Sequence, residues 1–124
     1  MTLVAGFGFR AAATAESLAN ALSKARAAAG CEEPLARVAA PADKAVSPVF
    51  TGFAAVISAE IAAVAAADLS AETPTQAPRV IVKRGVGSVA EAAALAAAGP
   101  GAKLLAPRAI SDDRAATCAL AEGK

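Results

Sequence analysis

The chain has 124 residues, 56% of them hydrophobic and about a third of them alanine, with twelve Lys and Arg against eleven Asp and Glu for a net charge of +1. It contains no His, Trp or Tyr, and only two Cys, four Phe and one Met. The missing His excludes Ser-His-Asp triads, Cys-His dyads and imidazole ligation of a metal, and two Cys cannot furnish a four-thiolate zinc or iron–sulfur site. Balanced charge and scarce aromatics argue against nucleic-acid binding, which needs a basic face or stacking platforms. Length fits one domain over residues 1–124, since domains cluster at roughly 100–150 residues.

Mean hydropathy is +0.51, high enough to raise the question of a membrane span. The longest uncharged stretch, Ala45 to Ala59, is shorter than the ~20 apolar residues a spanning helix needs and is broken by Pro48 and Gly52. Leu3-Val4-Ala5 has no basic residues before it, and Arg10 interrupts any signal-peptide core. The chain therefore reads as soluble and cytoplasmic, with no membrane partner. Cys31 and Cys118 then read as two buried thiols rather than a disulfide.

Thr2 to Phe7 is an apolar run ending in Gly6-Phe7-Gly8-Phe9-Arg10, the pattern of a strand followed by a glycine turn. A helix follows, with Thr14 as N-cap, Glu16 in the first turn, Leu18, Leu22 and Ala25 as its apolar stripe, and Gly30 as its stop. Leu35 to Ala40 reads as a second strand closed by Pro41, with Asp43 and Lys44 just beyond. Ser47-Pro48 is a helix start, although Gly52 weakens that helix by about 1 kcal/mol relative to Ala. Val56-Ile57 then reads as a short strand and Ser58 with Glu60 as the cap of a helix reaching Ala67.

Asp68 to Pro78 is a polar loop, and Arg79 to Lys83 a strand. Gly85-Val86-Gly87-Ser88 repeats the glycine turn, with Ser88 and Glu91 spaced as a capping box for a helix over Val89 to Ala98. Gly99-Pro100-Gly101 ends that helix. Leu104 to Ala106 and Ala115 to Leu120 are the last strands, separated by a turn from Arg108 to Arg114 in which Asp112 and Asp113 are solvated. Helical and extended segments in this order predict a layered α/β domain.

The chemistry-bearing positions share provision for an anion. Two glycine turns precede helix N-termini, whose free N–H groups attract negative charge, and Arg10, Lys44, Lys83 and Arg84 lie nearby. Gly6-x-Gly8-x-x-Ala11 also fits the loose dinucleotide fingerprint, but no acid stands where ribose binding expects one; Asp43 comes late. Ser88 has no His to activate it as a nucleophile.

The opening Val4-Ala5-Gly6-Phe7-Gly8-Phe9-Arg10 with Thr14-Ala15-Glu16-Ser17-Leu18 resembles the start of the CobE proteins and of the CbiG C-terminal domain, both of cobalamin (vitamin B12) biosynthesis. Gly85-Val86-Gly87-Ser88-Val89-Ala90-Glu91-Ala92-Ala93-Ala94-Leu95 is similar to that family's G-x-G-S-V-x-E-A-A-A-L stretch. Leu104 to Arg108, the ending Ala116 to Ala121, and Lys44 after the second strand also match. The resemblance implies one three-layer α/β/α domain with a small mixed sheet. It implies a ligand among the precorrins, tetrapyrroles fringed with carboxylates, and a site of Gly6, Gly8, Arg10, Thr14, Lys44, Gly87, Ser88 and Glu91.

Two roles follow from the resemblance. One is a carrier or accessory protein for a corrinoid intermediate, with other cobalamin-pathway enzymes as partners and no metal or cofactor of its own. The alternative is a hydrolase that opens the ring lactone of a cobalt-precorrin and releases acetaldehyde, with Lys44 or Glu91 as acid–base group. CbiG carries a further N-terminal region unmatched here, which favours the binding role. The stretch from Ser47 to Ala67 is also shorter than the family's helix-strand-helix.

Overall fold

The structure is a computed structural model that describes residues 2–30, 34–64, 86–99, 102–106 and 108–123. Its strands are β1 (Thr2–Phe9), β2 (Arg37–Pro41), β3 (Glu60–Val64), β4 (Lys103–Leu104), β5 (Ala109–Ile110) and β6 (Ala116–Gly123). Its helices are α1 (Ala15–Ala29), α2 (Ala42–Ala45), α3 (Pro48–Val56) and α4 (Val86–Ala98). The sheet runs β3-β2-β1-β6-β4, with β5 also paired to β6. β1, β2 and β3 are parallel, while β6 is antiparallel to β1, β4 and β5.

β1 is the central strand, and its alternation assigns the two layers. Leu3, Ala5, Phe7 and Phe9 pack with α1 and α3 through Leu18, Ala21, Leu22, Phe50 and Phe53. On the other face, Val4 packs with Ala93 of α4, while Ala90 and Ala94 meet Ala119 and Ala121 of β6. A Cβ at Gly6 would overlap the Ala90 carbonyl oxygen and the Ala94 amide nitrogen, so the glycine is what lets α4 lie against the sheet. A Cβ at Gly123, which pairs with Thr2, would meet the Ala98 carbonyl oxygen at 2.5 Å. These two contacts fix the direction of α4: it runs antiparallel to β1 and starts at that strand's carboxyl end. The fold is thus the expected α/β domain, in three layers.

α1 forms as its sequence dictates. The Thr14 hydroxyl accepts the Ser17 N–H, the Ser17 hydroxyl accepts the Thr14 N–H, and Gly30 closes the helix in the left-handed region at φ 64°. Arg37, at the start of β2, donates to the Ala97 carbonyl at the end of α4 (3.1 Å), satisfying one of the helix's orphan acceptors.

Several expectations are corrected. β1 continues through Phe9, so Gly6 and Gly8 lie inside the strand and not in a turn. β2 begins at Arg37, which pairs with Val4 of β1, and includes Pro41, which pairs with Val64 of β3. Val56 ends α3 and is not in a strand, and Ser58, at φ 58°, breaks the chain direction. Glu60–Val64 is then a strand, not helix: all five residues pair with β2, and alanine offers no preference strong enough to resist those backbone bonds. α4 is already helical at Val86, placing Ser88 within its first turn and not at the N-cap. The last two strands also move: β4 is Lys103–Leu104, and β6 runs past Leu120 to Gly123. The expected Arg108–Arg114 turn contains β5, because Ala109 and Ile110 pair with Cys118 and Thr117. The loop at 68–78 and the strand at 79–83 lie outside the described residues, as does Cys31. Cys118 is a free, fully buried thiol, and burial pushes its pKa well above the usual thiol range. No helix among the described residues is long and apolar enough to cross a membrane.

Candidate functional site

Parallel strands deliver their following loops to one edge, and in α/β sheets ligands bind outside the carboxyl ends of the strands. Here that edge carries a cleft of about 270 Å³. Phe9, Arg10, Ala11 and Ala13 form one wall, where β1 leads into α1. Asp43, Lys44, Ser47 and Val49 form the other, where β2 leads through α2 into α3.

The first wall is held by its backbone. The Arg10 N–H donates to the Ala115 carbonyl (2.9 Å), and the Arg10 carbonyl accepts the Ala13 N–H (3.0 Å). Arg10 is itself exposed. On the second wall, Lys44 is half-buried with its Nζ 5.5 Å from the centroid of the Phe9 ring, within cation–π range. Phe9 stacks on Phe50 (5.6 Å, 14°), and Phe50 meets Phe7 edge to face (5.8 Å, 69°). The floor under Lys44 is therefore a rigid aromatic cluster. No ion pair among the described residues joins Asp43 to Arg10 or Lys44. The cleft thus presents two cations against one anion, with an apolar floor.

The expected site residues separate into three places. Arg10 and Lys44 share the cleft. Thr14 stands just beyond it at the head of α1, with its hydroxyl engaged in the capping box. Gly87 and Ser88, in the first turn of α4, lie at the same sheet edge but on the opposite face. Gly6 and Gly8 are within β1, and the α4 backbone occupies the space beside Gly6 that a dinucleotide pyrophosphate would need. Glu91 is fully buried, and its carboxylate accepts the Arg108 N–H (3.1 Å), tying α4 to the chain just ahead of β5. It does not line the cleft.

Six lining residues escaped the sequence-based site, among them the apolar Ala11, Ala13 and Val49. Phe9, Asp43 and Ser47 each sit one or two positions from a strand or helix end, and proximity to Arg10 and Lys44 was the only signal available. Outside the cleft, Asp113 is exposed as expected, and it is also a fastening. It accepts the Ser111 hydroxyl (2.5 Å), the Ser17 hydroxyl (2.6 Å) and the Ala115 N–H (3.0 Å). These bonds, led by Ser111 and then Ser17, hold its pKa down at about 2. They also fix Ala115, the residue that anchors Arg10. Asp112 is ion-paired to Lys24 of α1 (2.5 Å). Among the described residues, no cluster of Cys, Asp and Glu has the makings of a metal site.

Comparison with known proteins gives this arrangement its context. Among curated proteins none matches the sequence. CobE, a protein from the cobalamin (vitamin B12) biosynthetic pathway, superposes with a TM-score of 0.79 at 30% identity, covering 97% of this chain and 89% of that one. The cobalamin biosynthesis protein chiG from Agrobacterium tumefaciens str. C58 gives 0.76 at 33% identity, with 99% of each chain covered. A cobalamin biosynthesis protein G homolog from Sulfolobus solfataricus shares the fold alone, at 18% identity and a TM-score of 0.75, over 100% of this chain and 37% of that one. The family model described as "Cobalamin synthesis G C-terminus" matches residues 3–121, and the chain belongs to that CobE/CbiG family of cobalamin biosynthesis.

Proposed function

We propose that the protein is a cytoplasmic binding protein of the cobalamin pathway that holds a precorrin-type intermediate as carrier or accessory to a pathway enzyme. The observation that carries this reading is the cleft at the carboxyl ends of β1 and β2, with Arg10 and Lys44 on opposite walls over an aromatic floor. Precorrins combine a large apolar ring with a fringe of acetate and propionate groups. A guanidinium matches a carboxylate bidentately, and an ammonium adds a point charge. Thr14 heads α1 next to the cleft, and Gly87 and Ser88 belong to the first turn of α4, which starts at the same sheet edge.

Hydrolysis is the less favoured role. Of the acid–base groups considered for lactone opening, Glu91 is buried against Arg108 and away from the cleft, so it cannot act with Lys44 on one substrate bond. The test is an anaerobic titration of the protein with a lactone-bearing cobalt-precorrin, following the visible spectrum and free acetaldehyde. A bound chromophore without acetaldehyde is the expected result. Acetaldehyde release would establish the hydrolase instead, and an unresponsive spectrum would dismiss both roles. Arg10→Ala should weaken binding about tenfold, the loss of one charge-assisted contact, with the melting temperature unchanged. Wild-type affinity in that variant would remove Arg10 from the site.

A further inference from the structure

Size limits what the cleft can enclose. Pockets that enclose a drug-sized ligand run from roughly 300 to 1,000 Å³, and a tetrapyrrole with its side arms is larger than such a ligand. At about 270 Å³, the cleft as the described residues bound it falls below that range. It can take one arm.

The donors within it suit one arm as well. Beside Arg10 and Lys44 lies Ser47, in the N-cap position of α3 with extended backbone (φ −63°, ψ 136°). Its hydroxyl makes no capping bond, and Pro48 occupies the first helical position without an N–H. The contrast with α1 is direct: there Thr14 satisfies the first turn with its own side chain. At α3 the first-turn amides of Val49 and Phe50 have no side-chain acceptor, and the helix start favours an anion. Asp43, on the same wall, disfavours a second negative group.

We propose that the cleft binds a single carboxylate arm of the tetrapyrrole, set between Arg10, Lys44 and the Ser47 hydroxyl at the head of α3, with the ring left outside. This rests on the corrinoid reading and adds the part of the ligand that is gripped. An exposed ring is open to transfer, because a second protein can take it before the arm is released.

The test uses cobyrinic acid, whose arms are free carboxylates, and cobinamide, whose arms are amides, each titrated by visible spectroscopy. The wild-type protein should bind the acid at least about tenfold more tightly than the amide. Ser47→Asp tethers a carboxylate where the arm would sit. It should lose about tenfold or more in affinity for the acid while melting no lower than wild type, since Asp is as good an N-cap as Ser. Added cyanide should replace axial water on the bound acid as fast as on the free one. Equal binding of acid and amide, full affinity in Ser47→Asp, or protection from cyanide would each overturn the one-arm geometry while leaving the corrinoid reading standing. Failure of the wild-type protein to bind either compound would overturn both.

Discussion

The two faces of the sheet are built from different materials. On one, α4 meets β1 and β6 through alanine and glycine, close enough that a single methyl at Gly6 would strike helix backbone. On the other, Phe7, Phe9, Phe50 and Phe53 fill the layer beneath α1 and α3 and support the cleft at its edge. Small residues bring backbones together and leave no room for a ligand. Large rings hold helices apart, and the gap at the layer's rim becomes a site. The candidate site stands on the aromatic face for that reason.

The sharpest way to break the contrast is Phe50→Ala. Phe50 is fully buried between Phe7 and Phe9, and removing its ring should cost about 3–5 kcal/mol, read as a lowered denaturant midpoint. It should also weaken ligand binding, because Phe9 loses the ring that holds it under Lys44. A stability loss below about 1 kcal/mol would mean that the aromatic layer is not a packed core.

Gly6→Ala tests the opposite face. The added methyl meets backbone atoms of Ala90 and Ala94, which cannot rotate away, so α4 must shift at a cost of about 1–3 kcal/mol. Tolerance without loss of stability would show that α4 rides further from β1 than the structure places it.

The smallest effect concerns the polar fastening on the aromatic side. Asp113 has its pKa lowered from 3.8 to about 2 by its hydrogen bonds. A carboxyl held below its unfolded value contributes stability above pH 3.8, and that contribution disappears as pH falls toward about 2. Asp113→Asn should therefore melt below wild type at neutral pH, with the difference shrinking across that window. A gap that stays constant with pH would separate the fastening from the carboxylate's charge.

Reading the sequence located elements wherever local chemistry was distinctive. Thr14, Gly30 and the Leu18-Leu22 spacing marked α1 within a residue of its ends, and Ser47-Pro48 marked the start of α3. It failed from Val56 to Val64, where alanine suits helix and strand alike and pairing with β2 decided the outcome. The site was partly legible. Arg10 and Lys44 could be picked out as cations following strands, and the structure places both in one cleft. Gly6 was legible as a position requiring glycine, but not why: its neighbour is a helix rather than a ligand.

By itself, then, the sequence determined the cap and stop of α1, the start of α3, the apolar run of β1, the balanced charge and the exclusion of imidazole chemistry. Those follow from short-range geometry and from side-chain pKa and charge, which need no partner. Only the tertiary structure decided that Glu60–Val64 is a strand, that Glu91 is buried against Arg108, and that Phe9, Asp43 and Ser47 join Arg10 and Lys44 at one edge. Each of these depends on contacts between segments distant in sequence, set by the parallel pairing of β1 and β2 and by which side chains fill the layer between sheet and helix.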